Sequence, residues 1–174
     1  MVRMLLILAL TFGLGCAKEG DEGPEGGSSD DDAACDPTEP LSVTLGTGAA
    51  SEFYPMQDGD SATLDVAPQG GFGVSIRAIT TGLRTDDVVD VNLITEIDGA
   101  NTGEFLSEGM KLYCQESGEG MVWGAVVGFD PQTFPSNDSL LAIDGESVDL
   151  VVEVTDADGE TATGRVTVTI QAGG

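Results

Sequence analysis

Asp156-Ala157-Asp158-Gly159-Glu160 sets three carboxylates at alternate positions within five residues. Oxygen donors spaced this way on a glycine-containing turn are how a calcium loop begins. Asp156, Asp158 and Glu160 are therefore the candidate metal ligands, and calcium is the candidate ion. The motif then stops. No third Asp-x-Asp step follows, and no bidentate Glu closes a loop of about 12 residues. Asp-Gly between two alternating segments is also a β-hairpin signal. The hairpin is the favoured reading and calcium its alternative. Under the favoured reading a divalent ion stabilises the loop only slightly, and magnesium serves as well as calcium. Asp86-Asp87 and Asp58-Gly59-Asp60 are further donors that other loops would have to bring in.

Acid–base and nucleophilic chemistry find little support. The chain carries 31 Asp and Glu against 6 Lys and Arg, with no His, for a net charge of −25. Without His there is no Ser-His-Asp or Cys-His site and no His-ligated zinc or copper. Among so many acids, two carboxylates near each other say nothing about a glycosidase pair. Aromatic platforms for sugars are scarce, with 1 Trp and 2 Tyr. Trp123, in the apolar run MVWGAVVGF, reads as a core residue. Lys111 is the domain's single lysine and a poor general base. Gly118–Gly128 is glycine-rich but lacks the lysine and following helix that cradle phosphate. No catalysis and no organic cofactor are expected. Nucleic acid is excluded as a partner, because the four basic residues beyond position 40 are too few and too scattered for a basic face.

The elements that must position these groups have a period of two. Val89, Val91, Leu93 and Ile97 alternate with Asp90, Asn92 and Glu96. Val148, Leu150, Val152 and Val154 alternate with Asp149, Val151 and Glu153. Val166, Val168 and Ile170 alternate with Arg165, Thr167 and Thr169. Each pattern is a strand with one buried face. Leu41–Leu45, Ala62–Val66, Phe72–Thr80, Gly109–Cys114 and Met121–Phe129 are weaker strand candidates. Turn residues recur between them, and no segment has a capped 3.6-residue period. The expected fold is an all-β, antiparallel sandwich of seven to nine strands over residues 41–174, as one domain.

The closing segment SVDLVVEVTDADGETATGRVTVTI resembles the last hairpin of bacterial immunoglobulin-like and cadherin-like domains. The resemblance implies an immunoglobulin-like sandwich and is nearly silent on function. An earlier stretch, Asp58-Gly59-Asp60 followed by Pro68-Gln69-Gly70-Gly71-Phe72, is similar to a pattern in uncharacterised bacterial lipoproteins. Relatives with that pattern often have a His where this chain has Gly73, so no ligand role of that His carries over.

Residues 1–15 read as an export signal. Arg3 precedes an apolar run from Met4 to Gly15, which is too short to span a bilayer but fits a signal h-region. The run ends in Gly13-Leu14-Gly15-Cys16, which resembles the lipobox of bacterial lipoproteins. In that family the cysteine becomes the lipidated N-terminus, so the resemblance implies acyl chains such as palmitate on Cys16. The −3 position, usually Leu, is Gly13. Ala17 at +2 is not Asp, which points to the outer membrane. Residues 16–40 form a lipidated start and acidic tether. From 17 to 40 there are nine acids, one Lys and no large apolar residue, a composition expected to stay disordered.

With Cys16 acylated, Cys35 and Cys114 remain. An even pair in an exported protein is expected to form a disulfide, with free thiols or an intermolecular bridge as alternatives. The expectation is a membrane-anchored exported lipoprotein with a non-catalytic binding, adhesion or structural module. The alternative is a carbohydrate-binding or hydrolase-accessory domain, favoured by an aromatic patch on one sheet face. The ligand would be a protein or polysaccharide.

Overall fold

The computed structural model describes residues 35–49, 52–66, 72–84 and 88–172. Residues 1–34, which include Cys16 and most of the expected tether, lie outside the described residues. So do 67–71 and 85–87, with Asp86 and Asp87.

In chain order the elements are β1 (Ser42–Thr47), β2 (Tyr54–Pro55), β3 (Ser61–Thr63), β4 (Asp65–Val66), β5 (Phe72–Thr81), β6 (Val88–Ile97) and β7 (Ala100–Lys111). Then follow β8 (Tyr113–Cys114), β9 (Gly120–Gly128), α1 (Asn137–Leu141), β10 (Ser147–Thr155) and β11 (Thr161–Gln171). One sheet runs β2-β1-β5-β9-β8, with β4 also on β5; the other runs β3-β11-β10-β6-β7. Taking β1, β5, β8 and β9 as strands A, B, D and E, the first sheet has the order A-B-E-D. Taking β6, β7, β10 and β11 as C, C′, F and G, the second has the order G-F-C-C′. This is the immunoglobulin arrangement, and the all-β sandwich read from the sequence is the fold.

Alternation builds the core. Inward residues of β6, β10 and β11, among them Val91, Leu93, Leu150, Val152 and Val168, are buried. They meet Val43, Leu45, Val74, Ile76, Val122 and Val127 from the first sheet in a single cluster. Full burial of each such side chain contributes about 1.5–3 kcal/mol.

Four details depart from the sequence reading. One pairing is parallel, β3 beside β11 through Ala62↔Ile170, so the sandwich is not purely antiparallel. Ala62–Val66 is not one strand: β3 joins the second sheet and β4 the first. A short helix exists. Ser136 Oγ accepts from Ser139 N at 3.2 Å and Ser139 Oγ accepts from Ser136 N at 3.1 Å, a reciprocal cap on a helix of one turn that buries Leu140. Five residues are too few to show a 3.6-residue period. Finally, ordered packing starts before residue 41. Cys35 is buried, and Asp36 N donates to Gly118 O at 2.8 Å.

Candidate functional site: an aromatic and cationic row on the first sheet

Cys35 and Cys114 form a disulfide, with Sγ atoms 2.09 Å apart and a sequence separation of 79. The bridge is not the inter-sheet B–F bridge of antibody domains, since Cys35 precedes β1 and Cys114 ends β8. It fastens the start of the described chain to the edge of the first sheet.

The turn Asp156–Glu160 is a hairpin connection. Gly159 N donates to Asp156 O at 3.0 Å, and Asp156 N donates to Glu160 O at 3.0 Å. Gly159 takes φ +84° while Asp158 does not enter the left-handed region. That is a type I turn closed by a left-handed glycine rather than a turn with both central residues at positive φ. The Asp156 carboxylate is buried and occupied. Its Oδ1 accepts from Asp158 N at 3.0 Å and Glu160 N at 2.9 Å, and its Oδ2 accepts from Arg84 N at 2.9 Å. Asp158 faces outward and meets Arg84 Nη1 at 3.4 Å, with both side chains mostly exposed. Glu160 is exposed. Asp156, Asp158 and Glu160 therefore do not converge, and no group of three or more carboxylate or cysteine ligands is placed to hold a metal among the described residues. Asp156 organises the loop and ties it to the residues after β5. Asp58 and Asp60 do similar work elsewhere: Asp58 Oδ1 accepts from Thr167 N and Asp60 Oδ2 from Gln57 N.

The outward face of the second sheet sets charged and polar groups around the apolar Ile94, Val151 and Leu106. Arg165 lies there between Glu96 at 2.8 Å and Asp149 at 2.6 Å. Hydrogen bonding to Glu96, then to Asp149, raises the Arg165 pKa further above its usual range. Asn92 Nδ2 donates to Glu104 at 3.1 Å and Glu153 at 3.2 Å.

The outward face of the first sheet is different. Between Ile76↔Ala125 and Ala78↔Val122 the register shifts, so Trp123 and Gly124 on β9 oppose Arg77 alone on β5. This is a β-bulge, and Gly124 takes φ +66°, which a side chain would resist. The bulge turns Trp123 outward, where it is half-buried. The expectation of a core tryptophan is corrected: an apolar run looked uniformly buried, but the extra residue changes which face its members reach. The Arg77 guanidinium lies 4.2 Å from the Trp123 ring centroid. Tyr113 on β8 meets Trp123 edge-on, with centroids 6.1 Å apart and planes at 75°. Lys111 Nζ lies 5.2 Å from the Tyr113 centroid. On the other side Arg77 Nη1 donates to Glu52 O at 3.1 Å. Beside it Phe53 packs over Gly46, where any Cβ would fall 2.5 Å from the phenyl ring.

The order Arg77, Trp123, Tyr113 thus crosses β5, β9 and β8 of the first sheet, and Lys111, the last residue of β7, joins it from the short link between the sheets. Cations over aromatic faces attract through the ring quadrupole by about 0.5–1 kcal/mol when exposed. Trp123 Nε1 has no hydrogen-bond partner although it is screened from solvent. Cys114 follows Tyr113 directly, so the disulfide marks one end of the row.

A shallow apolar hollow of about 230 Å³ lies elsewhere, lined by Leu64, Phe72, Asn137, Leu140, Leu141 and Ala172. It gathers no reactive groups.

No family model matches the chain, and no curated protein matches it.

Proposed function

We propose that this chain is an exported, lipid-anchored protein whose sandwich is a non-catalytic binding module. Residues 1–16 would supply export and the acyl anchor at Cys16, and residues 17–34 most of the spacer. Ala17 favours the outer membrane as the destination. The Cys35–Cys114 disulfide supports export, since such bonds persist in oxidising compartments. Among the described residues no helix is long and apolar enough to cross a membrane.

The observation that carries the binding reading is the row Arg77–Trp123–Tyr113–Lys111 at the β8 edge of the first sheet's outward face. Tyr113 is 46% exposed there. The same row favours a second reading, a carbohydrate-binding or hydrolase-accessory domain, because exposed aromatic rings on a sheet face suit sugar rings. A catalytic role lacks support: the chain has no His to serve as the general base of a Ser or Cys nucleophile.

Trp123 is the only tryptophan, so its fluorescence reports on this face. Neutral and acidic polysaccharides and isolated cell-envelope polymers should be titrated against the purified protein, with release of reducing ends followed in parallel. Saturable binding that weakens in Tyr113→Ala, without product release, is the expected result. Reproducible turnover lost on one Asp or Glu change would overturn the non-catalytic reading.

A further inference from the structure

Charge on this protein is unevenly spent. From residue 41 onward there are 22 acids and four bases, namely Arg77, Arg84, Lys111 and Arg165. Arg165 is held by Glu96 and Asp149, and Arg84 faces Asp158. The other two bases, Arg77 and Lys111, stand at the two ends of one aromatic pair. Among the described residues Lys111 has no carboxylate within ion-pairing distance. In so acidic a chain, carboxylates to neutralise it are abundant, so an aromatic partner in their place is informative.

We propose that the row binds an oligosaccharide carrying an isolated carboxylated sugar, a deepening that rests on the binding reading above. The sugar's apolar C–H face would replace the Lys111 ammonium over the Tyr113 ring, and Lys111 would swing off the ring to meet the sugar's carboxylate, with Arg77 bounding the row beyond Trp123. Charge complementarity selects an acid over a neutral sugar at this spot, because a charge-assisted contact is about twice as strong as a neutral one. The rest of the surface selects against a polyanion. The domain's net charge of −18 repels each further acid that comes within about one Debye length of its surface, near 8 Å at physiological salt. Peptide strands, in contrast, dock mainly on sheet edges through backbone hydrogen bonds, whereas this row crosses strands on a face. From β5 through β9 to β8 it spans about 10 Å, two strand spacings of about 4.8 Å, the scale of a short glycan.

The test uses the purified protein, Trp123 fluorescence and calorimetry. The probes are xylotriose bearing one glucuronic acid, the same glycan with its carboxyl reduced to the alcohol, polygalacturonate, and a triglutamate peptide. The single-acid glycan should bind, and the reduced glycan should bind about tenfold more weakly, the loss of one charge-assisted contact. Lys111→Gln should lower affinity for the acidic glycan by a similar factor and leave the reduced one unchanged. Tyr113→Ala should weaken both. Near-ultraviolet circular dichroism checks that both variants stay folded.

Equal binding of the acidic and reduced glycans overturns the charge assignment but leaves the binding module standing. Tightest binding of polygalacturonate overturns the isolated-acid assignment. Binding of triglutamate alone overturns the glycan class. Binding indifferent to Tyr113→Ala and Lys111→Gln places the ligand off the row. No binding by any probe overturns the inference, and the wider envelope-polymer titration then decides the binding reading separately.

Discussion

The guanidinium of Arg77 lies 4.2 Å from the centroid of Trp123, across a bulge that sets one residue of β5 against two of β9. The bulge and the contact are linked: without the extra residue Trp123 would not share a face with Arg77. Replacing Arg77 with Met keeps much of the aliphatic stem and removes the charge. Arg77→Met should destabilise the domain by about 0.5–2 kcal/mol and shift the emission of Trp123. Gly124→Ala should cost at least as much, because it strains the left-handed position at φ +66°. Chemical denaturation followed at Trp123 measures both.

The Cys35–Cys114 bridge closes a long loop, with a separation of 79 residues. In the chain-entropy model such a crosslink contributes up to about 4.5 kcal/mol, through restriction of the unfolded chain. Cys114→Ala should lower the melting temperature by many degrees, while Cys35→Ala with Cys114→Ala should lose little more than either alone. Peptide mapping without reduction should recover the two cysteines joined. Finding both alkylated before reduction would contradict the bridge.

How much of this was legible depended on burial geometry. β6, β10 and β11 each bury one face, so Val and Leu alternate with polar residues and the strands can be read directly. β7 up to Gly109 has no such signature. Phe105 and Leu106 are exposed neighbours at a sheet edge, 43% and 55% accessible, in a segment that also holds Gly103 and Gly109. The row was hidden for another reason. Arg77, Trp123 and Tyr113 meet only through the pairing of β5, β9 and β8, and one sequence does not specify register between distant strands. Trp123-Gly124 was the available hint, because glycine inside a strand often marks a bulge.

Asp156 holds three backbone N–H groups from two loops. Asp156→Ala leaves these donors without their acceptor and should cost about 1–3 kcal/mol or more. Asp158→Asn, on an exposed side chain, should stay within about 0.5 kcal/mol. Calcium and magnesium should raise the melting temperature by the same small amount, through screening of a net negative surface. A calcium-specific rise, lost in Asp158→Asn with Glu160→Gln, would show a site at this turn after all.

Acid should act in two opposing ways. Protonation of surface carboxylates relieves the repulsion of a chain at net charge −25, so stability should hold or rise as pH first falls from 7. Asp36 and Asp130 work against that trend at lower pH. The Thr38 hydroxyl holds the Asp36 pKa below its ordinary 3.8, and the Gln132 backbone N–H does the same for Asp130. A carboxylate with a depressed folded pKa contributes its stability fully above the unfolded value, and loses it as pH falls through the folded one. Melting temperature should therefore turn downward below about pH 3.8. Asp130→Ala isolates the effect: the gap between wild type and variant should be constant from pH 7 to 5, then narrow as pH falls further. A gap that widens in acid would mean that Asp130 stabilises the turn through its protonated form, and the assigned hydrogen bonds would be wrong.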